Sequence, residues 1–423
     1  MIMLLRAALL LLACCARLLA QHTAHQERTP GAVRDSIAAM ATLLSTTVSP
    51  ALDGRARTER HVTQPMLALR SARYRGAVQV AGMLNVERWT MPDGEAVAGI
   101  WGEGFIDRRH PHTVLHELML TASVRPQTVG ASAAVGRGFV PFGSDDPMVR
   151  PFTKYPANHH LSQIMERVQV VAALRPTRYL ALEAALFNGD EPLTPTAAPQ
   201  WNRFGDSRAA RVTLWPVPTV EVQASAAFVR SPEFVRAQGL DHAKASSGVR
   251  WTPATSLVRY LLVEWARTEE RYQGRPIIAY GTGLIEWLAR DGAWSLAGRL
   301  EQTSRPEDER LLDPFRTTRP PNHLSIQGIT RWRIGTLHLA RQLPTWSHTH
   351  ANLFAEVARA GSTPLLRPIL VDPRAISGAD AAWHVSAGIR VGIGAMAARM
   401  GRYGVASPPT GSNVILGMPH ATH

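Results

Sequence analysis

The sequence predicts an all-β protein: a closed antiparallel transmembrane β-barrel of about 16 to 18 strands, with short periplasmic turns and long extracellular loops. Three observations predict it. Side chains alternate with a period of two along most of the chain, the alternating runs are about ten residues long, and the connections between them alternate between short and long. A tilted strand needs about 9–11 residues to cross a bilayer, whereas strands of soluble proteins average about 5–6.

The alternating runs place individual strands along the chain. In each run, residues i, i+2 and i+4 share one face of a strand and the intervening residues share the other. Clear examples occupy residues 219–229, 294–303, 324–334 and 382–391. The short connections carry proline or glycine and lie at 125–128, 175–177, 216–218, 252–255 and 291–292. The longer polar connections lie near 138–160, 189–206, 231–241, 268–275 and 305–321.

Aromatic residues support a membrane barrel over a soluble β-sandwich. Tryptophan and tyrosine recur near predicted strand ends, where the aromatic girdles of a membrane barrel lie: Trp89, Tyr179, Trp215, Trp251, Trp265, Trp287, Trp294, Trp332 and Trp383. The core of a β-sandwich also contains aromatic residues, so strand length and loop asymmetry have to decide between sandwich and barrel. Both of these favour the barrel.

The N-terminus has the composition of an export signal. Arg6 precedes an apolar stretch, and Arg17 interrupts it before it reaches the length of a membrane-spanning helix. We predict a signal peptide over residues 1–20, with lipidation at Cys14 as the alternative processing. Cys14 and Cys15 are the two cysteines of the sequence, so the exported chain would hold no disulfide and no thiolate metal site.

The rest of the chain predicts a leader, a barrel and a tail. Residues 21–61 form a periplasmic leader, and the spacing of apolar residues over 33–44 favours a short amphipathic helix there. The barrel is expected over residues 62–418, with a tail at 419–423. No internal repeat beyond the hairpin rhythm and no second domain is indicated.

The net charge of +13 rests almost wholly on arginine, since Lys154 and Lys244 are the two lysines. An exported chain seldom meets nucleic acid, so a positive lumen or an anionic lipid surface is the more plausible reason for the charge. Charged residues alternate within the predicted strands. The residues predicted to line the lumen are Arg211, Arg299, Arg331, Arg333, Arg390, Glu183, Glu221 and Glu301.

The segment "DRRHPHTVLHE" (107–117) is rich in groups that could bind a metal. His110 and His112 flank a proline and would share one face of a strand, with His116 on the same side and Asp107 or Glu117 as a carboxylate. Copper or zinc suits such a set. The spacing matches no established metal signature, so hydrogen bonds to loop backbone and strand ends are the alternative.

Catalysis has little support in the sequence. Ser162, Ser231 and Ser304 lie near strand–loop borders but none stands in a nucleophile motif, and "GRGFVPFG" lacks the strand–loop–helix context of a phosphate site. We expect no enzymatic activity and no cofactor.

Several of these segments resemble uncharacterised porin-like outer-membrane β-barrel proteins of bacteria. The family carries a "DRQHPHD"-like segment, an "HH"-ended loop, a strand ending in "FNGREP" and a "KSPE" loop entry. The counterparts here are "DRRHPHT" (107–113), "NHHL" (158–161), "LFNGDEP" (186–192) and "FVRSPE" (228–233), with Arg109 and Thr113 as departures. The resemblance implies a barrel in the outer membrane and supplies no substrate.

The sequence therefore favours an outer-membrane channel for passive diffusion of small solutes, with a preference for anions. The alternative is a closed barrel whose loops bind a metal ion or another ligand. The expected partners are outer-membrane lipid and small solutes, and not nucleic acid. The sequence does not indicate an oligomeric state.

Overall fold

The computed structural model describes residues 34–51, 54–90, 113–124, 129–144, 147–153, 156–157, 163–192, 194–232, 237–253, 256–307, 328–344, 349–365, 372–394 and 399–408. Sixteen strands in this part of the chain form one closed antiparallel barrel. They are β1 (Arg34–Ser49), β2 (Arg57–Arg73), β3 (Val78–Asn85), β4 (Leu115–Val124), β5 (Gly130–Gly138), β6 (Arg167–Thr177), β7 (Leu180–Phe187), β8 (Ser207–Val217), β9 (Val220–Val229), β10 (Asp241–Trp251), β11 (Val258–Tyr272), β12 (Arg275–Asp291), β13 (Trp294–Glu307), β14 (Gly328–Gln342), β15 (Thr349–Pro364) and β16 (Ala381–Ile393). Two short helices, α1 (Glu87–Thr90) and α2 (Pro373–Ser377), lie in connections.

Each strand pairs with its neighbours in sequence, and the first strand closes the barrel against the last. β1 pairs with β16 from Ala39 opposite Ile393 to Ser49 opposite Trp383. The closed ladder gives every strand a paired neighbour on both sides, which a spanning sheet requires because lipid offers no hydrogen-bond partners. The predicted fold class is confirmed, with sixteen strands.

The helix predicted over residues 33–44 is wrong, because residues 34–49 form strand β1. Met40 and Leu44 do share a buried face, but Ala38 and Thr42 lie on that face as well, which is the period of a strand. The helical spacing of apolar residues was ambiguous over so short a stretch. Pairing with β2 and β16 decides for the strand, since both edges of β1 find a partner.

The predicted limits of the barrel also change. The strands extend from Arg34 to Ile393, not from 62 to 418, so the barrel takes in the sequence expected to be a leader. Residues 399–408, expected to belong to the last strands, lie outside any strand. The signal peptide at 1–20 and the tail at 419–423 lie outside the described residues and stay predictions.

The two faces of the barrel differ in chemistry. Large apolar side chains are exposed on the outer face, as expected for a surface in contact with lipid. Examples are Leu118, Leu120, Val135, Val170, Leu182, Leu186, Leu214, Val263, Ile285, Leu337, Leu353 and Val385. Alternate positions on the same strands are buried and often polar. Examples are Thr121, Gln169, Thr213, Ser225, Glu264, Thr268, Glu286, Thr303, Thr336 and Ser386.

The two ends of the barrel differ in their connections. Two-residue turns join strands at one end, at 178–179, 218–219 and 292–293. Longer connections at the other end include 139–166, 188–206 and 365–380. Among the described connections at that end, the two-residue turn at 273–274 is the exception, and Gly274 has a φ of +80° there. Among the described helices, none is long and apolar enough to cross a membrane.

The predicted aromatic girdle is right for some residues and wrong for two. Trp251, Trp294 and Trp383 are exposed on the outer face near strand ends, whereas Trp265 is exposed in the middle of β11. Trp215 and Trp332 instead face the lumen and are buried: Trp215 Nε1 donates to Glu221 at 3.1 Å, and the Arg175 guanidinium lies 4.6 Å from the Trp215 ring centre. A position near a strand end does not reveal the face, and these two positions fall on the inner set.

Candidate functional site in the barrel lumen

The connection between β5 and β6 folds into the barrel. Its described residues, called the inner loop, are 139–144, 147–153, 156–157 and 163–166. Phe139 and Phe152 are buried. Gly143 N donates to Ser225 Oγ of β9 at 2.9 Å, and Thr153 N donates to Glu356 Oε2 of β15 at 2.7 Å. Because these partners lie six strands apart, the inner loop crosses the lumen.

An arginine of the inner loop is held by carboxylates of the wall. Arg150 Nη2 donates to Glu264 Oε2 on β11 at 3.0 Å, and its Nη1 lies 3.8 Å from Glu286 Oε2 on β12. Ser144 Oγ also donates to Glu264. The three charged side chains are almost fully buried, so each needs the others to offset the loss of water.

Further along, the wall carboxylates accept backbone N–H groups of the inner loop. Glu356 accepts from Thr153 N, as described above, and Glu301 Oε2 on β13 accepts from Ala157 N at 3.0 Å. The guanidinium of Arg299 lies 4.6 Å from the ring centre of Phe152, a cation–π distance. These contacts fix the loop against β13 and β15.

A second piece of chain enters the lumen after the last strand. Residues 399–408, called the C-terminal segment, are buried almost throughout. Arg399 donates two hydrogen bonds to Glu221 of β9, from Nη2 to Oε1 at 2.6 Å and from Nη1 to Oε2 at 3.1 Å. Arg402 Nη2 donates to the same Glu221 Oε1 at 3.0 Å, and its Nη1 donates to Thr213 Oγ1 of β8 at 2.7 Å. Two arginines of the segment therefore share one wall carboxylate.

Arg211 joins the wall, the inner loop and the C-terminal segment. It donates twice to Glu183 of β7, from Nε at 2.6 Å and from Nη2 at 2.7 Å. Its Nη2 also donates to Gly401 O at 2.6 Å, and its Nη1 to Gly143 O at 3.2 Å. One wall arginine thus uses its fork of donors to hold both inserted pieces.

Tyr403 makes the contact between the C-terminal segment and the start of the inner loop. Its Oη donates to Glu117 Oε1 at 2.8 Å and accepts from Phe139 N at 3.0 Å. Burial, together with the nearby Glu117 carboxylate, raises the pKa of Tyr403 well above its ordinary value, so the phenol stays a donor. Burial and the neighbouring Arg211 lower the pKa of Arg402 to about 10, which leaves it charged near neutral pH.

The inserted pieces pack closely. Met148, Met165 and Met400 join wall residues such as Met40 and Phe354 in one buried cluster. Internal cavities of about 20 Å³ beside Gln163 and about 10 Å³ beside Met83 have the size of single water molecules. In the described part of the lumen, the inner loop and the C-terminal segment pack against the wall and against each other.

The structure places six of the eight residues predicted to line the lumen on the inner face. Arg211, Arg299, Glu183, Glu221 and Glu301 are buried there, in the contacts given above or near them. Arg390 also faces inward, and its Nε donates to Thr42 Oγ1 at 3.3 Å.

The prediction is wrong for Arg331 and Arg333, which point outward. Trp332, Ile334 and Thr336 are buried on the inner face of β14, so the residues between them face the other way. The sequence shows the alternation but not which set of residues faces inward. Near the long-loop end of β14, the inward-facing residues are the more apolar ones. Trp332 and Ile334 pack there against Ala157 of the inner loop.

Other groups in the lumen were not singled out from the sequence. Glu264 had a usable signal, since it alternates with the outward-facing Val263 and Trp265. Arg150, Arg399 and Arg402 had none, because they belong to segments without periodicity whose path depends on the rest of the barrel.

The histidine-rich segment lies only partly within the described residues. His110 and His112 are outside them, so the metal hypothesis stays a prediction. His116 is buried, and its Nδ1 lies 2.5 Å from Glu166 Oε1, while Thr113 N donates to the same carboxylate at 3.0 Å. Across the described ranges, no group of three or more potential metal ligands is present.

Neither a protein-family model nor a functionally described protein sequence matches the chain. Solved structures match it in fold. The anion-selective porin from Comamonas acidovorans has a TM-score of 0.53 at 11% sequence identity, and the match covers 86% of this chain and 100% of that chain. The fold is that of the bacterial porins.

Structures of OmpT, an outer membrane protein of Vibrio cholerae, are also similar. The in-vitro folded trimer form has a TM-score of 0.51 at 9% identity, covering 86% of this chain and 99% of that chain. The outer-membrane expressed form has a TM-score of 0.51 at 7% identity, covering 88% and 100%. At these identities the likeness concerns the architecture, so function has to be argued from the residues of this chain.

Proposed function

We propose that the protein is a porin-like channel of the bacterial outer membrane, through which small solutes diffuse passively. The observation that carries the proposal is a closed barrel with an apolar outer face and a charged inner face. A soluble barrel does not expose so much apolar surface. A barrel without a solute pathway does not require an interior lined with ion pairs. The inner loop and the C-terminal segment form the constriction.

Charge distribution supports a preference for anions. Arg70, Arg290 and Arg390 face inward near the end of the barrel with two-residue turns, and they retain contact with solvent. The nearby acids Glu183 and Glu221 are already paired with arginines. A surplus of positive charge at the entrance of a low-dielectric passage raises the local concentration of anions.

Planar bilayer recordings test both parts of the proposal. We expect discrete, small conductance steps, and a reversal potential in a potassium chloride gradient that favours chloride. Replacing Arg70, Arg290 and Arg390 together by glutamine should move the reversal potential toward zero. Arg208→Gln is the matched control, since Arg208 lies on the outer face of β8 beside Phe228. Absence of steps would contradict the channel, and cation preference would contradict the anion version.

We further propose membership in the porin-like family with the "DRQHPHD"-like segment, because one of its shared motifs has a structural reason here. In "LFNGDEP", Asn188 Oδ1 accepts from Val168 N at 2.7 Å and Asn188 Nδ2 donates to Asp190 Oδ1 at 2.6 Å. A side chain at Gly189 would approach Arg230 O to 2.4 Å. The motif therefore fixes the start of a loop, and a solved structure of another member should show the same contacts.

A further inference from the structure

An open, shallow depression of about 730 Å³, called the groove, lies on the outer wall over β11 to β15. Its floor and sides include Trp265, Ile285 and Leu300, which face outward and are about half exposed or more. An apolar wall is ordinary for a membrane barrel, but a hollow of this size in it is not required for spanning a bilayer.

Two glycines open the groove. A Cβ atom on Gly283 would meet no atom nearer than Glu264 O at 4.0 Å, and one on Gly335 would lie 3.4 Å from the Leu300 side chain, an ordinary contact. Neither residue has a backbone conformation that demands glycine. Glycine weakens a strand interior and often marks a place where a ligand approaches closely. Local packing does not explain these glycines, whereas an occupant of the groove would.

One edge of the groove is positively charged. Arg333 and Arg359 line it, and both are exposed. Arg333 Nε donates to Gln302 Oε1 at 3.0 Å, and the Arg359 guanidinium lies 5.9 Å from the ring centre of Trp383. Both contacts leave most of the guanidinium donors available to a ligand. Arg331 also faces outward, two residues before Arg333 on β14 and nearer the long-loop end.

The described outer surface of β13 to β16 carries no compensating charge. Among the described outward-facing residues of β13 to β16, none is acidic. On β11, Glu269 is already paired with Arg267 and Arg271. A second copy of the chain docked through this face would bring arginine toward arginine, so the charges disfavour self-association here.

We infer that the groove binds an acylated lipid with an anionic phosphate headgroup, its acyl chain along Trp265, Ile285 and Leu300 and its phosphate on Arg333 and Arg359. An apolar channel leading to a forked cationic edge matches such an amphiphile, because arginine binds phosphate through two parallel donors. The inference rests on the proposed membrane position of the barrel and not on conduction. The arginines lie toward the end of the barrel with long loops, the end that faces the cell exterior in the porin fold.

Native mass spectrometry of the full chain in mild detergent tests the inference. The probes are dioleoyl phosphatidic acid, dioleoyl phosphatidylcholine with the same acyl chains, and inorganic phosphate. We expect the wild-type protein to retain phosphatidic acid, phosphatidylcholine to bind at least about ten-fold more weakly, and inorganic phosphate not to compete at millimolar concentration. Bilayer conductance of the same preparation reports separately on the channel.

Two variants and one control identify the site. Arg333→Gln with Arg359→Gln should weaken phosphatidic acid binding about ten-fold or more, and Gly283→Leu should weaken both lipids by filling the groove. The control is Arg341→Gln, which removes an outward arginine of the same strand near the other end, where it lies over Trp294. Resistance to detergent unfolding verifies that each variant forms a barrel.

Three results would overturn the inference. The first is equal phosphatidic acid retention by the wild type and the double arginine variant. The second is competition by inorganic phosphate as effective as that of the lipid, which would indicate an anion site without an acyl groove. The third is a lipid-free oligomer that Gly283→Leu dissociates, which would assign the groove to a second copy of the chain.

Discussion

Glu221 shows how single residues organise the lumen. A carboxylate buried alone in a barrel wall would be costly, and Glu221 is buried. Two arginines of the C-terminal segment, Arg399 and Arg402, and the indole of Trp215 donate to it. The wall thus carries the negative charge and the inserted segment supplies the positive charge. Removal of either partner leaves the other unpaired in the interior.

His116 belongs to the histidine-rich segment, and we predict a structural role for it. His116→Ala removes the contact with Glu166 and leaves that buried carboxylate with fewer partners. We expect a loss of about 1–3 kcal/mol in the free energy of unfolding, because a buried group that loses its hydrogen bond retains its desolvation cost. Urea titration followed by tryptophan fluorescence in detergent measures the change.

Titration of copper and zinc separates this role from metal binding. If His116 is structural, uptake of either metal should be the same in the wild type and in His116→Ala. His61→Ala is a suitable control, since His61 forms a comparable contact with Glu59 at 3.0 Å but away from the histidine-rich segment. Metal uptake that His116→Ala abolishes, with unchanged stability, would contradict the prediction.

At the scale of elements, the C-terminal segment is held by its side chains and not by a strand ladder. Arg399, Arg402 and Tyr403 make polar contacts with the wall, and Arg211 and Ser132 of the wall bond its backbone. Because β16 ends at Ile393, the segment is separate from the ladder that closes the barrel. Its position in the lumen can therefore change without breaking the barrel.

Arg399→Gln combined with Arg402→Gln should release the C-terminal segment. Breaking a buried ion pair costs roughly 3–5 kcal/mol, so the undocked state should become populated. We expect a larger single-channel conductance with unchanged resistance to detergent unfolding. Arg374→Gln is the control, because Arg374 pairs with Asp372 in the connection that holds α2 and is partly exposed. Unchanged conductance in the double variant would show that the segment does not limit the passage.

The inner loop is anchored differently from the C-terminal segment. Its contacts reach β9, β11, β12, β13 and β15, and they combine ion pairs with backbone hydrogen bonds and the packing of Phe152 in an apolar cluster. Many independent contacts therefore hold this loop against several strands of the wall. We expect the loop to set the minimum width of the passage and the segment to modulate it.

For the whole molecule, closure of the barrel depends on close approach of β1 and β16. A Cβ atom on Gly388 would lie 2.0 Å from Leu43 O, so any side chain would force the two strands apart. We expect Gly388→Ala to impair closure and to lower the yield of barrel that resists unfolding in sodium dodecyl sulfate.

Gly361→Ala is the matched control for Gly388→Ala. Gly361 lies in the neighbouring strand β15, and its Cβ would lie 3.7 Å from Asp380 O, an ordinary contact. This variant should form the barrel as well as the wild type does. Equal folding yields of the two variants would contradict the assigned role of Gly388, since both lose the same conformational freedom of glycine.

The sequence by itself determined the fold class of this protein. Alternation with a period of two survives in the linear chain because each strand meets lipid on one face and a polar interior on the other. Strand length and loop asymmetry follow from the thickness of the bilayer and can be read without contacts. For the same reason, Arg211, Arg299 and Glu183 could be expected on the inner face.

Only the tertiary structure decided what fills the barrel and which face is inner where the pattern is weak. Arg331 and Arg333 point outward because Trp332 and Ile334 pack on Ala157 of the inner loop, a contact between distant parts of the chain. Residues 34–49 are a strand because both of their edges are paired. Residues 399–408 lie in the lumen because they form hydrogen bonds with Glu221, Thr213 and Arg211 there. These outcomes depend on long-range partners, which local periodicity does not encode.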